Sequence, residues 1–87
     1  WLAQAPTAPS SRPTLRYQSR GDQVRDLQMR LNRWLLTAPW LGRQPLNVDG
    51  IFGPRTRDVV SAFQHAWSLG VDGVVGRQTW QRLLSLP

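Results

Sequence analysis

The sequence predicts an all-α fold, a small three-helix domain with a duplicated Asp-Gly turn plus helix unit, and three observations carry that prediction. One nonapeptide pattern is written twice, as Val48-Asp49-Gly50-Ile51-Phe52-Gly53-Pro54-Arg55-Thr56 and as Val71-Asp72-Gly73-Val74-Val75-Gly76-Arg77-Gln78-Thr79. Each copy runs into an apolar stripe at helical spacing, and a third such stripe precedes both. One Asp-Gly turn arises by chance, whereas a second in register implies a duplicated unit.

The first helix is expected near residues 20–36. Ser19-x-x-Asp22 has capping-box spacing, and Val24, Leu27, Leu31, Trp34 and Leu35 recur at intervals of three and four. Asp26 and Arg30 stand one turn apart on its polar side, a pairing that adds a few tenths of a kcal/mol. Pro39 disfavours helical geometry in the residue before it, so the helix ends by Ala38. Residues 37–47 hold two Pro and a Gly, a connection long enough to suggest a family-specific or partner-specific loop. A core this small needs apolar area, so Trp40 and Leu41 are expected to fold back onto it.

The second helix is expected near residues 54–67, with Gly53 as N-cap and Pro54 at the first helical position, where a missing amide hydrogen costs nothing. At about 100° per residue, Thr56, Val59, Val60, Phe63 and Trp67 share the inward face. Asp58, Ser61 and His65 lie opposite, which leaves the only histidine solvated. Gly70 marks the end of this helix by composition. The third helix, near residues 77–85, starts at Gly76, buries Trp80, Leu83 and Leu84, and stops before Pro87. Arg77 stands where the first copy has Pro54, which gives up some preorganisation without forbidding the helix.

A chain of 87 residues builds one small domain of marginal stability. Residues 1–14, rich in Pro, Ser, Thr and Ala, read as an extended linker or tail, and residues 15–87 as the folded domain. That linker suggests a fragment of a longer protein whose export signal lies elsewhere. The eleven basic residues are all Arg and the five acidic ones all Asp, for a net charge of +6 that favours anionic partners. The absence of Cys excludes a disulfide scaffold and a thiolate metal site. No apolar run is long enough to cross a bilayer.

Hydrolytic or transfer chemistry needs a nucleophile beside a base, paired carboxylates in a cleft, or a metal cage. This chain supplies one His and no Cys, Glu or Lys. Asp49 and Asp72 each precede a turn Gly, where an Asp side chain accepts backbone amides. Thr56 and Thr79 face inward and are expected to bond back to the Asp-Gly turns. Asp49, Gly50, Gly53 and Thr56, with their counterparts Asp72, Gly73, Gly76 and Thr79, are thus turn and cap residues. The ligands of a calcium loop and the Lys of a phosphate loop are both missing. No catalytic residue, metal site or cofactor is predicted.

Read with their flanks, these residues resemble the type 1 peptidoglycan-binding-like domain. The likeness begins at Leu15-Arg16 and Ser19-Arg20-Gly21-Asp22-Gln23-Val24 and continues through Leu27-Gln28-Met29-Arg30-Leu31-Asn32. It resumes at residues 48–56 with Val59-Val60 and Phe63-Gln64, and closes on Leu69, Val71-Asp72-Gly73, Gly76, Thr79-Trp80 and Leu83. The resemblance implies a non-catalytic wall-binding module in the cell envelope, periplasmic or extracellular, that targets a linked hydrolase or transpeptidase to peptidoglycan glycan strands or stem peptides. It also puts a Gly at the position of Ser68.

Candidate ligand-binding residues follow from chemistry. Arg57 and Gln64 are read two turns apart on one flank of the second helix, with Arg55 on the other. Arg offers a planar donor fork to carboxylates, and Gln pairs with amides and sugar hydroxyls. Trp40 or Phe52 supplies an apolar platform for a sugar ring, with a place in the core as the alternative for Phe52. A competing reading is a protein-interaction or pro-domain-like module without wall binding; the same fold occurs ahead of metalloproteases, where a Cys-bearing segment masks the zinc, and no Cys exists here. Arg20, Arg25, Arg30 and Arg33 cluster on and before the first helix, but aromatic residues are not interleaved with them, so no specific nucleic acid is expected. The module is expected to be a monomer.

Overall fold

A computed structural model describes residues 12–86. Most of the linker expectation, residues 1–11, lies outside the described residues. Three α-helices follow one another: α1 (Asp22–Leu36), α2 (Pro54–Ala66) and α3 (Arg77–Leu84), with a 3-10 turn at Pro39–Leu41. No strand forms among the described residues; two isolated antiparallel bridges join Leu15 to Val75 and Arg20 to Ile51. None of these helices is long and apolar enough to cross a membrane.

Helix α1 starts later than expected. Ser19 does not cap it: its hydroxyl accepts the Arg16 amide at 3.0 Å, while Asp22 pairs with Arg25. Gly21, at φ +123°, is the N-cap, with no side-chain capping bond. Backbone pairing overrides the capping box. Gly21 donates to the Gly50 carbonyl at 2.9 Å and Phe52 donates to Ser19 at 2.9 Å, which keeps residues 19–21 extended beside the first repeat.

The same N-terminal arm also closes the second repeat. Leu15 and Val75 exchange both backbone hydrogen bonds, at 3.1 and 2.8 Å. Contacts with the helical core begin before residue 15. The Trp80 indole N–H donates to the Pro13 carbonyl at 2.9 Å, and the Arg12 guanidinium lies 4.6 Å above the Trp80 ring. Arg12 also reaches Asp26 at 2.8 Å, so Asp26 holds both Arg12 and its helical neighbour Arg30.

The apolar stripes of the three helices meet in one core. Leu27, Leu31, Phe52, Phe63 and Trp80 are among its fully buried side chains, and Leu15 and Leu46 join from the arm and the loop. Trp34 meets Phe63 edge-on at 5.1 Å between ring centroids. Helix α2 ends where the resemblance places a Gly and not at Gly70. Ser68 takes a left-handed φ of +57°, Leu69 donates to the Gln64 carbonyl at 2.8 Å and Ser68 to the His65 carbonyl at 3.2 Å. That pair of bonds is a Schellman stop, built without its usual Gly.

The 37–47 loop departs furthest from expectation. Asn32 clamps its far end, donating to the Leu46 carbonyl at 2.9 Å and accepting the Leu46 amide at 2.7 Å, and Ala38 and Leu46 are buried. Trp40 and Leu41 do not fold back: Trp40 is 78% exposed and Leu41 37%. The 3-10 turn carries the indole outward.

Candidate functional site

The two repeats are built alike to the atom. In the first, Gln28 Nε2 donates to Asp49 Oδ1 at 3.0 Å, the Ile51 carbonyl at 3.0 Å and Thr56 Oγ1 at 3.2 Å. Its Oε1 accepts the Asp49 and Gly50 amides at 3.0 and 2.9 Å. In the second, Gln64 does the same with Asp72, Val74 and Thr79 at 2.9, 2.9 and 3.1 Å, and accepts the Asp72 and Gly73 amides at 3.1 and 3.0 Å. Each Asp Oδ1 also accepts the amide two residues on, from Ile51 or Val74. The turn glycines sit at φ +74° and +71°, a region that suits Gly. A Cβ on Gly50 would come within 3.1 Å of the Gly21 carbonyl.

This arrangement corrects two of the expected ligand-binding residues. Gln64 is 1% exposed and every polar atom of its carboxamide is engaged within the fold, so it presents nothing to a ligand. Its position borders the apolar arc of α2, and the bare amides of the Asp-Gly turn make a buried carboxamide favourable there. Phe52 is fully buried in the core and offers no platform. Thr56 and Thr79 are buried as expected, at 3% and 4% exposed, but each hydroxyl meets a Gln side chain and reaches the turn through it.

Sequence reasoning assigns Gln28 no structural role, although the structure gives it one. The signal lay in the chain: Leu27-Gln28 and Phe63-Gln64 are both an apolar residue followed by Gln, each ahead of a Val-Asp-Gly. The duplicated unit therefore begins a helix earlier than the nonapeptide.

Asp49 and Asp72 are held below the ordinary aspartate range, first by the Ile51 or Val74 amide and then by the Gln carboxamide. Both carboxylates are committed to their turns as acceptors, which leaves no general acid or base there. Burial pushes the Asp26 carboxyl up, but hydrogen bonds and charge from Arg12 and Arg30 outweigh it and hold it low.

The remaining candidates stay on the surface but do not converge. Arg57 lies 4.8 Å above the Tyr17 ring and against Gly73. Arg55 points to the other side of α2, where a cleft of about 240 Å³ contains Arg43, Leu46 and Asp58. Trp40 lines a separate groove of about 240 Å³ with Trp34, Thr37, Leu41 and Trp67. An adjoining cleft of about 270 Å³ shares Trp34, Thr37 and Trp67 and adds Arg30 and Arg33. Trp67 is 36% exposed, with the Arg82 guanidinium 4.8 Å from its ring.

A three-helix domain closed by paired turn clamps, with an exposed surface of indole and guanidinium groups, has the character of a binding module. Residues 20–83 match the putative peptidoglycan binding domain family, and the chain belongs to that family. It is accordingly a binding domain and not a catalytic one. It is 40% identical over 73 residues to the zinc D-Ala-D-Ala carboxypeptidase of Streptomyces albus G, a match covering 84% of this chain and 27% of that protein. The Burkholderia AP3 phage endolysin superposes with a TM-score of 0.70 at 39% identity, covering 85% of this chain and 25% of the endolysin. A fused Zn-dependent amidase/peptidase/peptidoglycan-binding domain-containing protein from Clostridium acetobutylicum gives a TM-score of 0.73 at 29% identity, over 86% of this chain and 30% of that one.

Proposed function

We propose that this domain holds a linked wall-cleaving or cross-linking domain against peptidoglycan in the cell envelope. The observation that carries the reading is the family match over residues 20–83. The relatives add a second line of support, since the chain spans only 27% of the Streptomyces carboxypeptidase and 25% of the phage endolysin. A domain of that share is suited to work as an attachment for the rest of the protein. Attachment raises the effective concentration of the linked domain at its substrate to the mM range for short flexible linkers, so modest affinity suffices. The Pro/Ser/Thr/Ala-rich stretch ahead of Arg12 is the connecting linker in this reading.

Of the residues singled out by chemistry, Trp40, Arg55 and Arg57 are exposed and available to the wall. The net charge of +6 suits the carboxylates of stem peptides. The domain acts as a monomer and without a nucleic-acid sequence preference. Incubation with purified, nucleic-acid-free sacculi followed by pelleting tests the reading. The domain is expected in the pellet at low salt, and full recovery in the supernatant would refute wall binding.

A further inference from the structure

We propose that the tryptophan groove between α1, the 3-10 turn and the end of α2 is the surface that takes the wall polymer, with N-acetylated sugar rings on the indoles and stem-peptide carboxylates on Arg33. The inference rests on the wall-binding reading and adds which face binds and what it contacts. Two observations separate this face from the Arg55 cleft.

The first is an exposed Trp on an anchored turn. Trp40 is 78% exposed although the loop carrying it is pinned by the Asn32 clamp on Leu46 and by the Arg43 pair with Asp58 at 3.0 Å. Leaving an indole in water forgoes its burial energy, and contiguous apolar surface held outward, here Trp40 with the exposed parts of Leu41 and Trp67, marks an interaction site. Trp67 lines the same groove, and Trp34 forms its floor. A pyranose ring presents a face of C–H groups that packs on an indole, while its hydroxyl and acetamide oxygens accept from neighbouring donors.

The second is charge. The residues lining the groove and its adjoining cleft include Arg30 and Arg33 and no acid. Arg30 already shares Asp26 with Arg12, whereas Arg33 makes no ion pair among the described residues. The Arg55 clefts, by contrast, include Asp58, paired with Arg43, and Asp49. A polymer that alternates apolar sugar faces with carboxylates matches the groove in both respects and meets opposing carboxylates at the other site.

The test compares wild type with Trp40→Ala, Arg33→Ala and Arg55→Ala in sacculus pelleting, with thermal melting of each variant to establish that it is folded. Soluble competitors are a β-1,4-linked N-acetylglucosamine tetramer and a free stem peptide. Trp40→Ala is expected to weaken binding about tenfold or more with an unchanged melt. Arg33→Ala should weaken it less and reduce its salt dependence. The sugar tetramer should compete and perturb wild-type tryptophan fluorescence, and do so less in Trp40→Ala. Wild-type affinity in folded Trp40→Ala, or loss confined to Arg55→Ala, overturns the groove. Competition by the stem peptide alone overturns the sugar assignment. Failure of the wild type to pellet removes the wall-binding reading itself, a result read before any variant is made.

Discussion

Gln28 and Gln64 each hold five hydrogen bonds from one carboxamide, at 2.9 to 3.2 Å, and the groups they satisfy are the Asp-Gly turn and the Thr hydroxyl that follows it. Replacing either by Ala leaves a buried Gly amide and a Thr hydroxyl without this partner. At about 1–3 kcal/mol per stranded group, Gln28→Ala and Gln64→Ala are each expected to cost about 3–5 kcal/mol in urea unfolding. A change below about 0.5 kcal/mol, the usual value at an exposed helix position, would refute the clamp. Ser68 makes the opposite prediction. Its left-handed φ strains a residue with a Cβ, so Ser68→Gly is expected to stabilise by about 0.5–1 kcal/mol. Side-chain type misled the sequence reading at Gln64, because a polar residue beside an apolar arc reads as solvated unless the bare amides it serves are in view. Asp49 and Asp72 were legible because their partners are two residues away.

Among the elements, the helices were legible in extent. The Gly53-Pro54 and Gly76 start signals, with apolar spacing after them, located α2 and α3 to within a residue at each end. Where sequence reasoning failed, a distant segment decided the outcome. The capping box at Ser19 yields to strand-like pairing with residues 50–52, some thirty positions away along the chain, as the bridge from Arg20 to Ile51 shows. The Trp40 loop was misplaced because demand for apolar area says nothing about whether the core has room. The N-terminal arm is an element in its own right, although it has no regular structure. A chain starting at residue 14 loses the Pro13 acceptor of the buried Trp80 indole, the Arg12 contact above its ring and one of the two partners of Asp26. Compared with a chain starting at residue 12, its loss should be about 2 kcal/mol, or a fall of about 8–16 °C in Tm for a domain of this size. Equal melting of the two would mean that the arm contributes nothing.

For the molecule as a whole, three of its five aspartates are held low by the fold: Asp26, Asp49 and Asp72. A carboxylate with a depressed folded-state pKa stabilises the fold fully above its unfolded value of about 4 and loses that contribution as pH falls through the folded value. The Tm should therefore be flat from about pH 5 to 8 and fall below about pH 4. Asp49→Asn with Asp72→Asn should flatten the acid limb, and an unchanged limb would mean that these turns do not titrate as described.

The arm that pairs with both turns acquires a further meaning if the domain is a tether, because tethers are loaded in tension. Force entering from the linker reaches residues 12–21 before any helix. It peels Arg12 and Pro13 from Trp80, then parts Leu15 from Val75, and then frees residues 50–52. The first step uncovers the Trp80 indole and the next two remove the backbone partners of the turns on which the starts of α3 and α2 depend, so the helices cannot yield one at a time. Pulled between its ends in a single-molecule experiment, the domain is expected to give one force peak. Three separate ruptures would show that the arm carries no load.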